Sequence, residues 1–146
     1  MYPAQFEYHT PGTVKEALEL LGRHKDDAKL LAGGHSLLPA MKLRLAQPKH
    51  LVDLRKVAGL SGIKEDGATL VIGAMTTHYQ VESSAAVKSK CPMLAAVAAQ
   101  IGDPMVRNMG TLGGSLAHAE PAADYPDAII ALGAEMMAEG PKGKRT

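Results

Sequence analysis

The chain has 146 residues, of which 46% are apolar, and its formal net charge is +1. This content is enough to bury a core, which excludes a disordered chain, and the near-neutral charge without a basic stripe argues against nucleic acid as a partner. A single cysteine, Cys91, excludes a disulfide framework or a four-thiolate iron–sulfur site within the chain.

The chain opens with the pattern of a short strand, followed by that of a helix. Phe6 and Tyr8 alternate with polar neighbours, which is typical of a strand. Thr13 and Glu16 have the spacing of a capping box, in which the hydroxyl accepts from the amide three residues on. A helix is therefore predicted to begin after Thr13, and Gly22 is its predicted end.

Three further elements complete a predicted first lobe at residues 1–58. Short apolar runs at residues 28–32 and 51–54 indicate strands, and residues 37–45 indicate a helix with Pro39 in its first turn. The resulting β-α-β-α-β order predicts an α/β lobe built on a parallel sheet, because each crossover is long enough to bring strands side by side.

A second lobe is predicted at residues 59–146. The dipeptide Asp66-Gly67 lies between two strand patterns and is a strong signal for a β-hairpin turn. Helical patterns follow at residues 92–101 and 125–132, and a strand pattern at residues 134–139. That last strand has no evident return partner, so we expect either a fragment or a chain that another segment completes.

Two glycine pairs are the main candidates for chemistry. The first glycine motif is AGGHS at residues 32–36, and the second glycine motif is TLGGS at residues 111–115. Glycine permits a positive φ and lacks the Cβ that would hold a phosphate away, so consecutive amides can surround an anion. Ser36 and Thr111 add hydroxyl groups. Either pair alone more often makes a simple turn, and neither fits the common dinucleotide or P-loop patterns, but together they indicate an anion site.

Other polar residues give no catalytic or metal-binding set. The six histidines are His9, His24, His35, His50, His78 and His118. They lack ligand spacing such as H-x-x-x-H, so we expect them to be solvated or hydrogen-bonded, except that His35 in the first glycine motif can donate to a phosphate. Arg107 and Asp103 flank the second glycine motif, and we expect an ion pair between them. Cys91 is expected to pack in the core.

The residues around both glycine motifs resemble a known family. The runs AGGHSLLPAMKLRLAQPKHLVDLRKV at residues 32–57 and IGDPMVRNMGTLGGSLAHAEPAADYP at residues 101–126 are similar to the two flavin segments of that family. The family comprises the medium, FAD-binding subunits of molybdenum hydroxylases. Within it, the chain most resembles the subunits of aerobic carbon monoxide dehydrogenases, followed by xanthine dehydrogenase flavin subunits. The resemblance extends over essentially the whole chain from Phe6.

The resemblance implies that both glycine motifs hold the pyrophosphate of FAD, and that the second also approaches the flavin. Asp124 corresponds to an acidic residue that contacts FAD, and Ile101 to an apolar position near the isoalloxazine ring. Ile101 is equally well explained as a core residue. Family members often carry Asn at the position of Ser115. The implied FAD-binding residues are Ala32, Gly33, Gly34, His35, Ser36, Ile101, Thr111, Leu112, Gly113, Gly114, Ser115 and Asp124.

The fold implied is an α+β, two-lobed FAD-binding domain of the vanillyl-alcohol-oxidase (PCMH) type. In it the small parallel sheet with its helices is followed by a lobe with a mixed sheet, and FAD lies between the lobes. The chain would be a truncated form, because the family continues beyond residue 146 into the rest of the second lobe and a third, C-terminal domain that this sequence lacks.

The function implied is that of a flavoprotein subunit in a heterotrimeric oxidoreductase. Electrons would come from a large molybdopterin subunit through [2Fe–2S] clusters on a small subunit, and would leave FAD for an external acceptor. The chain alone is not expected to be active. Two alternatives are a truncated, non-catalytic interaction module and a stand-alone FAD oxidase of the same fold. With no signal peptide and no apolar run of transmembrane length, a cytoplasmic protein is expected.

Overall fold

The computed structural model describes all residues from Met1 to Thr146. The strands are β1 (Glu7–His9), β2 (Ala28–Leu31), β3 (His50–Asp53), β4 (Ile63–Asp66), β5 (Thr69–Ile72), β6 (Ala138–Gly140) and β7 (Gly143–Arg145). The helices are α1 (Val14–His24), α2 (Leu37–Lys42), α3 (His78–Ser83), α4 (Ala85–Lys90), α5 (Pro92–Gln100), α6 (Pro104–Met109), α7 (Leu112–His118) and α8 (Tyr125–Ala131). This mixture confirms the predicted α+β class. None of the helices is long and apolar enough to cross a membrane.

The first three strands form a parallel sheet in the order β1-β3-β2, which confirms the predicted β-α-β-α-β unit. Successive side chains of a strand point to opposite faces of the sheet. On one face, Leu31 and Leu51 pack against Met41 of α2. On the other face, Val52 is fully buried and Ala28 nearly so, and α1 contacts both β2 and β3.

Helix α1 begins as predicted but ends later. The Thr13 hydroxyl accepts from the amide of Glu16 at 3.2 Å, and the Glu16 carboxylate accepts from the amide of Gly12 at 2.7 Å. The predicted stop at Gly22 is wrong, because the helix continues to His24. A glycine inside an exposed helix costs only about 1 kcal/mol relative to alanine, which the rest of the helix can offset.

A buried aspartate ties β1 to the end of β3. Asp53 is 2% exposed and accepts from Arg55 through Nη2 at 2.6 Å, Nε at 2.8 Å and the backbone amide at 2.9 Å. The Tyr8 hydroxyl donates to the same carboxylate. Burial alone would raise the pKa of Asp53, but the hydrogen bonds from Arg55 and Tyr8 hold the pKa below its usual value. The carboxylate is therefore charged and paired at neutral pH.

The larger core belongs to the helices that follow the sheet. It contains the buried side chains of Val81, Val87, Leu94, Ala95, Ala98, Leu112 and Tyr125. Cys91 packs against this core, as predicted. Helices α4 and α6 were not predicted from the sequence. In α6, Asp103 provides the cap by accepting from the amide of Val106 at 2.9 Å.

The strands after residue 60 form two separate antiparallel hairpins rather than the mixed sheet that the resemblance implies. The predicted hairpin at Asp66-Gly67 is present, with Asp66 as the last strand residue opposite Thr69. The strand predicted at residues 134–139 begins only at Ala138. It does have a return partner, β7, so the expectation of an unpaired strand is wrong.

Three of the six histidines lie together on the α1 face of the parallel sheet, although their spacing in the sequence did not indicate it. His9 Nε2 lies 3.2 Å from His50 Nδ1, and the His24 ring stacks on that of His50 with centroids 3.6 Å apart. Desolvation, followed by repulsion from His50 and His9, lowers the pKa of His24.

Candidate functional site

The first glycine motif connects the end of β2 to the start of α2. Gly34 has a φ of +79°, a conformation that residues with a side chain rarely adopt. A Cβ on Gly34 would lie 2.8 Å from a methyl of Leu38 and 3.1 Å from one of Leu31. It would therefore point into the protein, so this glycine is required by its backbone conformation rather than by direct approach of a phosphate.

The backbone amides of the first glycine motif are free. The N–H groups of Gly33, Gly34, His35 and Ser36 form no hydrogen bond within the chain. The side chains of His35 and Ser36 are exposed, and the Ser36 hydroxyl does not cap α2. Successive amides can bind an anion when they have no acceptor within the protein and lie in a turn that is open to solvent.

The second glycine motif is the cap and first turn of α7, and its amides are already used. Within the protein, Leu112 N–H donates to Thr76 O at 3.0 Å, Gly113 to Ala74 O at 2.9 Å, Gly114 to Thr111 Oγ1 at 3.1 Å and Ser115 to Thr111 O at 3.0 Å. The Thr111 hydroxyl is thus an N-cap acceptor. These four amides are not an open anion cradle, which differs from the arrangement expected from the sequence.

The glycines of the second motif allow close packing. A Cβ on Gly113 would lie 2.5 Å from Ala74 Cβ and 2.7 Å from the backbone of the same residue. A Cβ on Gly114 would lie 2.6 Å from Thr111 Oγ1 and 3.1 Å from Ala32 Cβ. Both positions are too crowded for any side chain, because real Cβ atoms do not approach other atoms so closely.

The fold brings the two glycine motifs into contact. Gly114 packs beside Ala32. A Cβ on Gly114 would also lie 4.0 Å from the amide nitrogen of Gly33. A Cβ on Gly33 would lie 2.3 Å from Met109 O and 2.6 Å from Gly110 Cα. The second motif and the residues just before it therefore form a floor on which the first motif rests.

The remaining predicted site residues occupy different surroundings. Asp124 is exposed, directly precedes α8, and acts electrostatically on buried His78 and Tyr125. Leu112 is buried in the larger core. Ile101 is half-buried against that core, at the end of α5, which agrees with its interpretation as a core residue.

His78 is a buried residue of the site that sequence reasoning missed. Its Nδ1 lies 3.1 Å from the Tyr125 hydroxyl, and its Nε2 would lie 2.6 Å from a Cβ on Gly110. Burial, and then the nearby His35, lowers the pKa of His78 to about 4, although Asp124 acts in the opposite direction. His78 is therefore neutral at pH 7. The one local signal was the Thr77 capping box, which fixes the start of α3 but does not reveal what its first residue touches.

Arg107 fixes α6 through a partner other than the predicted one. Its Nε lies 3.0 Å from Glu82 Oε2 as an ion pair without aligned hydrogen-bond geometry, and its Nη1 donates to Ile101 O at 3.2 Å. The expected pair with Asp103 is wrong, because that carboxylate caps α6. The ion pair joins α6 to α3 and so holds the segment that leads into the second glycine motif.

Comparison with known proteins defines the class of this domain. The family described as the FAD binding domain in molybdopterin dehydrogenase matches residues 4–146. The chain belongs to this family, whose cofactor is FAD. The family predicted from the glycine motifs and their flanking runs is therefore confirmed.

Particular relatives are similar over the whole of this chain. The carbon monoxide dehydrogenase medium chain of Hydrogenophaga pseudoflava is 54% identical over 146 residues, which are 100% of this chain and 51% of that protein. A solved carbon monoxide dehydrogenase structure from the same organism matches 99% of this chain and 50% of its own, with a TM-score of 0.98 at 54% identity. Quinoline 2-oxidoreductase from Pseudomonas putida 86 matches 99% of this chain and 50% of its own, with a TM-score of 0.95 at 40% identity. The chain thus spans about half the length of these relatives.

Proposed function

We propose that this chain is the FAD-binding part of the medium subunit of a molybdenum hydroxylase, most similar to those of carbon monoxide dehydrogenases. The observation that carries the proposal is the run of four free amides at residues 33–36, held against the second glycine motif. A pyrophosphate is negatively charged and accepts several hydrogen bonds, so it satisfies donors that have no partner in the protein.

The residues that would hold FAD have unequal roles. The amides of the first glycine motif would donate to the pyrophosphate, and the hydroxyls of Ser36 and Ser115 would add to them. Thr111 and Gly113 would act by fixing the shape of the second motif. The Thr111 hydroxyl already accepts from the amide of Gly114, and the space beside Gly113 is filled by Ala74. Asp124 is exposed and suited to accept from a hydroxyl of the cofactor. Ile101 and Leu112 would support the site from the core.

In the intact complex, FAD would supply the redox chemistry, taking electrons from [2Fe–2S] clusters on a small subunit and releasing them to an external acceptor. The large subunit would carry the molybdopterin and oxidise the substrate. The division into lobes at residues 1–58 and 59–146, the third domain that would follow, and a cytoplasmic location belong to the same proposal. This chain would bind and orient the cofactor, and the substrate step would require no group from it.

Carbon monoxide is the substrate we propose for the complex. The support is the 54% identity to a subunit named for carbon monoxide dehydrogenase. A quinoline 2-oxidoreductase has a closely similar flavin segment, so the substrate would be selected on another subunit. Comparing carbon monoxide and quinoline as reductants of the purified complex tests this choice. Faster flavin reduction by quinoline would contradict it.

The central test is FAD binding by Gly34→Ala and by its control Gly67→Ala. Both glycines have a positive φ, at +79° and +56°, so alanine strains each backbone by about 1–2 kcal/mol. Only Gly34 lies among the free amides, and strain there would turn them away from the pyrophosphate. We expect Gly34→Ala to weaken FAD binding at least about tenfold, equivalent to 1.4 kcal/mol, and Gly67→Ala to leave it unchanged.

The titration is followed by quenching of flavin fluorescence and by circular dichroism of the same samples. Equal affinity in both variants, with both folded, would contradict the assignment of the first glycine motif. Failure of the unmodified chain to take up FAD would favour the interaction module. If the chain binds FAD and the reduced flavin reacts with oxygen much faster than with a quinone, a stand-alone oxidase becomes the better description.

A further inference from the structure

The three clustered histidines have one acidic neighbour. The Glu7 carboxylate lies 3.4 Å from His50 Nδ1 and 3.9 Å from His9 Nε2. One ring nitrogen from each of His9, His24 and His50 lies within 4.8 Å of the other two. The side chains of His9 and His50 are 23% and 15% exposed and that of Glu7 is 72% exposed, so the two imidazoles are sheltered while the carboxylate side is open to an ion from solvent.

The fold places these four side chains together by two rules of the parallel sheet. Glu7 and His9 are two residues apart on β1, so they share a face. The register pairs Glu7 with His50 on β3, which puts the three on the same face. His24 is the last residue of α1, the helix that packs on that face. The three histidines are separated by 15 and 26 residues in the sequence, which is not a spacing typical of metal ligands. Only the tertiary structure brings them together.

We propose that His9, His24, His50 and Glu7 form a zinc site. Three imidazoles and one carboxylate are a common donor set for Zn²⁺, and four protein ligands make a closed, structural site. Two ligand atoms bound to tetrahedral zinc at 2.0–2.1 Å are about 3.3 Å apart. The His9–His50 and Glu7–His50 distances of 3.2 and 3.4 Å already have this value. One ring nitrogen of His24 lies within 4.8 Å of those of His9 and His50, and the His24 ring would leave its stack on His50 to reach the ion.

The ion would link β1, α1 and β3 in the part of the chain that carries the first glycine motif. Four ligands from three elements would restrain the sheet and its covering helix, and binding to the folded state alone would raise stability. The donor set favours zinc over Mg²⁺ and Ca²⁺, which prefer oxygen ligands.

The test compares two histidines that each end a helix. His24 is the last residue of α1, and His118 is the exposed last residue of α7. The purified protein, treated with a chelator and desalted, is titrated with Zn²⁺ by calorimetry and with Co²⁺ by visible absorption. We expect one ion per chain, the intense absorption of tetrahedral Co²⁺, and a higher melting temperature. His24→Ala should weaken zinc binding by more than about 100-fold, because losing an outer-shell partner alone costs about 10–100-fold. His118→Ala should have no effect.

A conservative variant distinguishes a ligand from a merely structural residue. His24→Cys should retain zinc and give the Co²⁺ form a thiolate charge-transfer band in the near ultraviolet. Glu7→Gln, which replaces an anionic ligand by a neutral amide, should weaken zinc binding by at least about tenfold. The proposal is overturned if Zn²⁺ does not bind at micromolar concentration, if His24→Ala binds it as tightly as the unmodified protein, or if the Co²⁺ spectrum is octahedral. Each of these results would leave the group as a hydrogen-bonded imidazole stack.

Discussion

The two glycine motifs look alike in sequence but differ in structure. Both Gly33-Gly34 and Gly113-Gly114 follow an apolar residue and are followed within two residues by a serine, but the first pair precedes α2 and the second lies in the first turn of α7. The backbone amides of residues 33–36 are free, and those of residues 112–115 donate within the protein. A glycine pair therefore does not define a phosphate site by itself. What distinguishes the two is whether the peptide N–H groups already have acceptors.

The glycines also serve packing in both motifs. Gly33 leaves room for the carbonyl of Met109, and Gly113 leaves room for Ala74. The contacts of Gly33 with Met109 and of Gly114 with Ala32 seat the first motif on the second and on the residues just before it. The second motif thus supports the first, which we propose as the element that faces the cofactor, and this difference predicts different consequences when each is altered.

The largest effect is expected for Gly113→Val. The new side chain would collide with the backbone of Ala74, which cannot rotate away, so we expect a loss of about 3 kcal/mol in the free energy of unfolding. Gly22→Ala is the control, since nothing lies within 4 Å of its Cβ position, and it should stabilise α1 by about 0.5–1 kcal/mol. Urea unfolding measures both. A Gly113→Val protein as stable as the parent would remove the structural role of the second motif.

The support beneath the second motif should weaken in acid. His78 has a folded pKa of about 4 and an unfolded pKa near 6.5, so the unfolded state takes up the proton first as pH falls. Its contribution to stability is complete above about pH 6.5 and decreases toward pH 4. We expect a decrease of about 2 kcal/mol between pH 7.5 and pH 5.

The matching variant for this pH dependence is His78→Gln, which keeps a polar group near Tyr125 but has no proton to gain. Urea unfolding measures the free energy of unfolding of both proteins at pH 7.5 and pH 5. The decrease between these pH values should be smaller in the variant than in the parent by about 2 kcal/mol. Equal decreases in both proteins would mean that His78 is not responsible.

A smaller effect is expected for Asp124→Ala. Removing one exposed acceptor should weaken FAD binding by about 1 kcal/mol, roughly fivefold, without a change in folding. Asp127→Ala is the control, because that carboxylate is also exposed and lies within the first turn of the same helix. Fluorescence titration with FAD measures both variants. If the two behave alike, Asp124 has no specific contact with the cofactor.

Local patterns predicted the parallel sheet and helices α1, α2, α5 and α8 because each depends on a few neighbouring residues. Thr13 caps α1 through the amide of Glu16, and Pro39 lies in the first turn of α2, where its missing N–H is harmless. The parallel pairing of the strands followed from the short crossovers between them. The end of α1 was missed, since the cost of Gly22 is small compared with the packing of the helix.

Contacts between distant residues were not predictable in this way. Arg107 pairs with Glu82 rather than Asp103, and His78 meets Tyr125 across 47 residues. The histidine cluster arises from a strand register and a helix end. For the site, the sequence predicted a set of FAD-binding residues, and only the hydrogen bonds distinguish the free amides of the first motif from the occupied amides of the second.

Amide hydrogen exchange with and without FAD tests the central claim most directly. Without FAD, the amides of Gly33, Gly34, His35 and Ser36 should exchange at nearly unprotected rates, and those at residues 112–115 should be protected. Addition of FAD should slow exchange at the first motif and leave the second almost unchanged. Protection that develops only at residues 112–115, or a first motif that is already protected without FAD, would contradict the account.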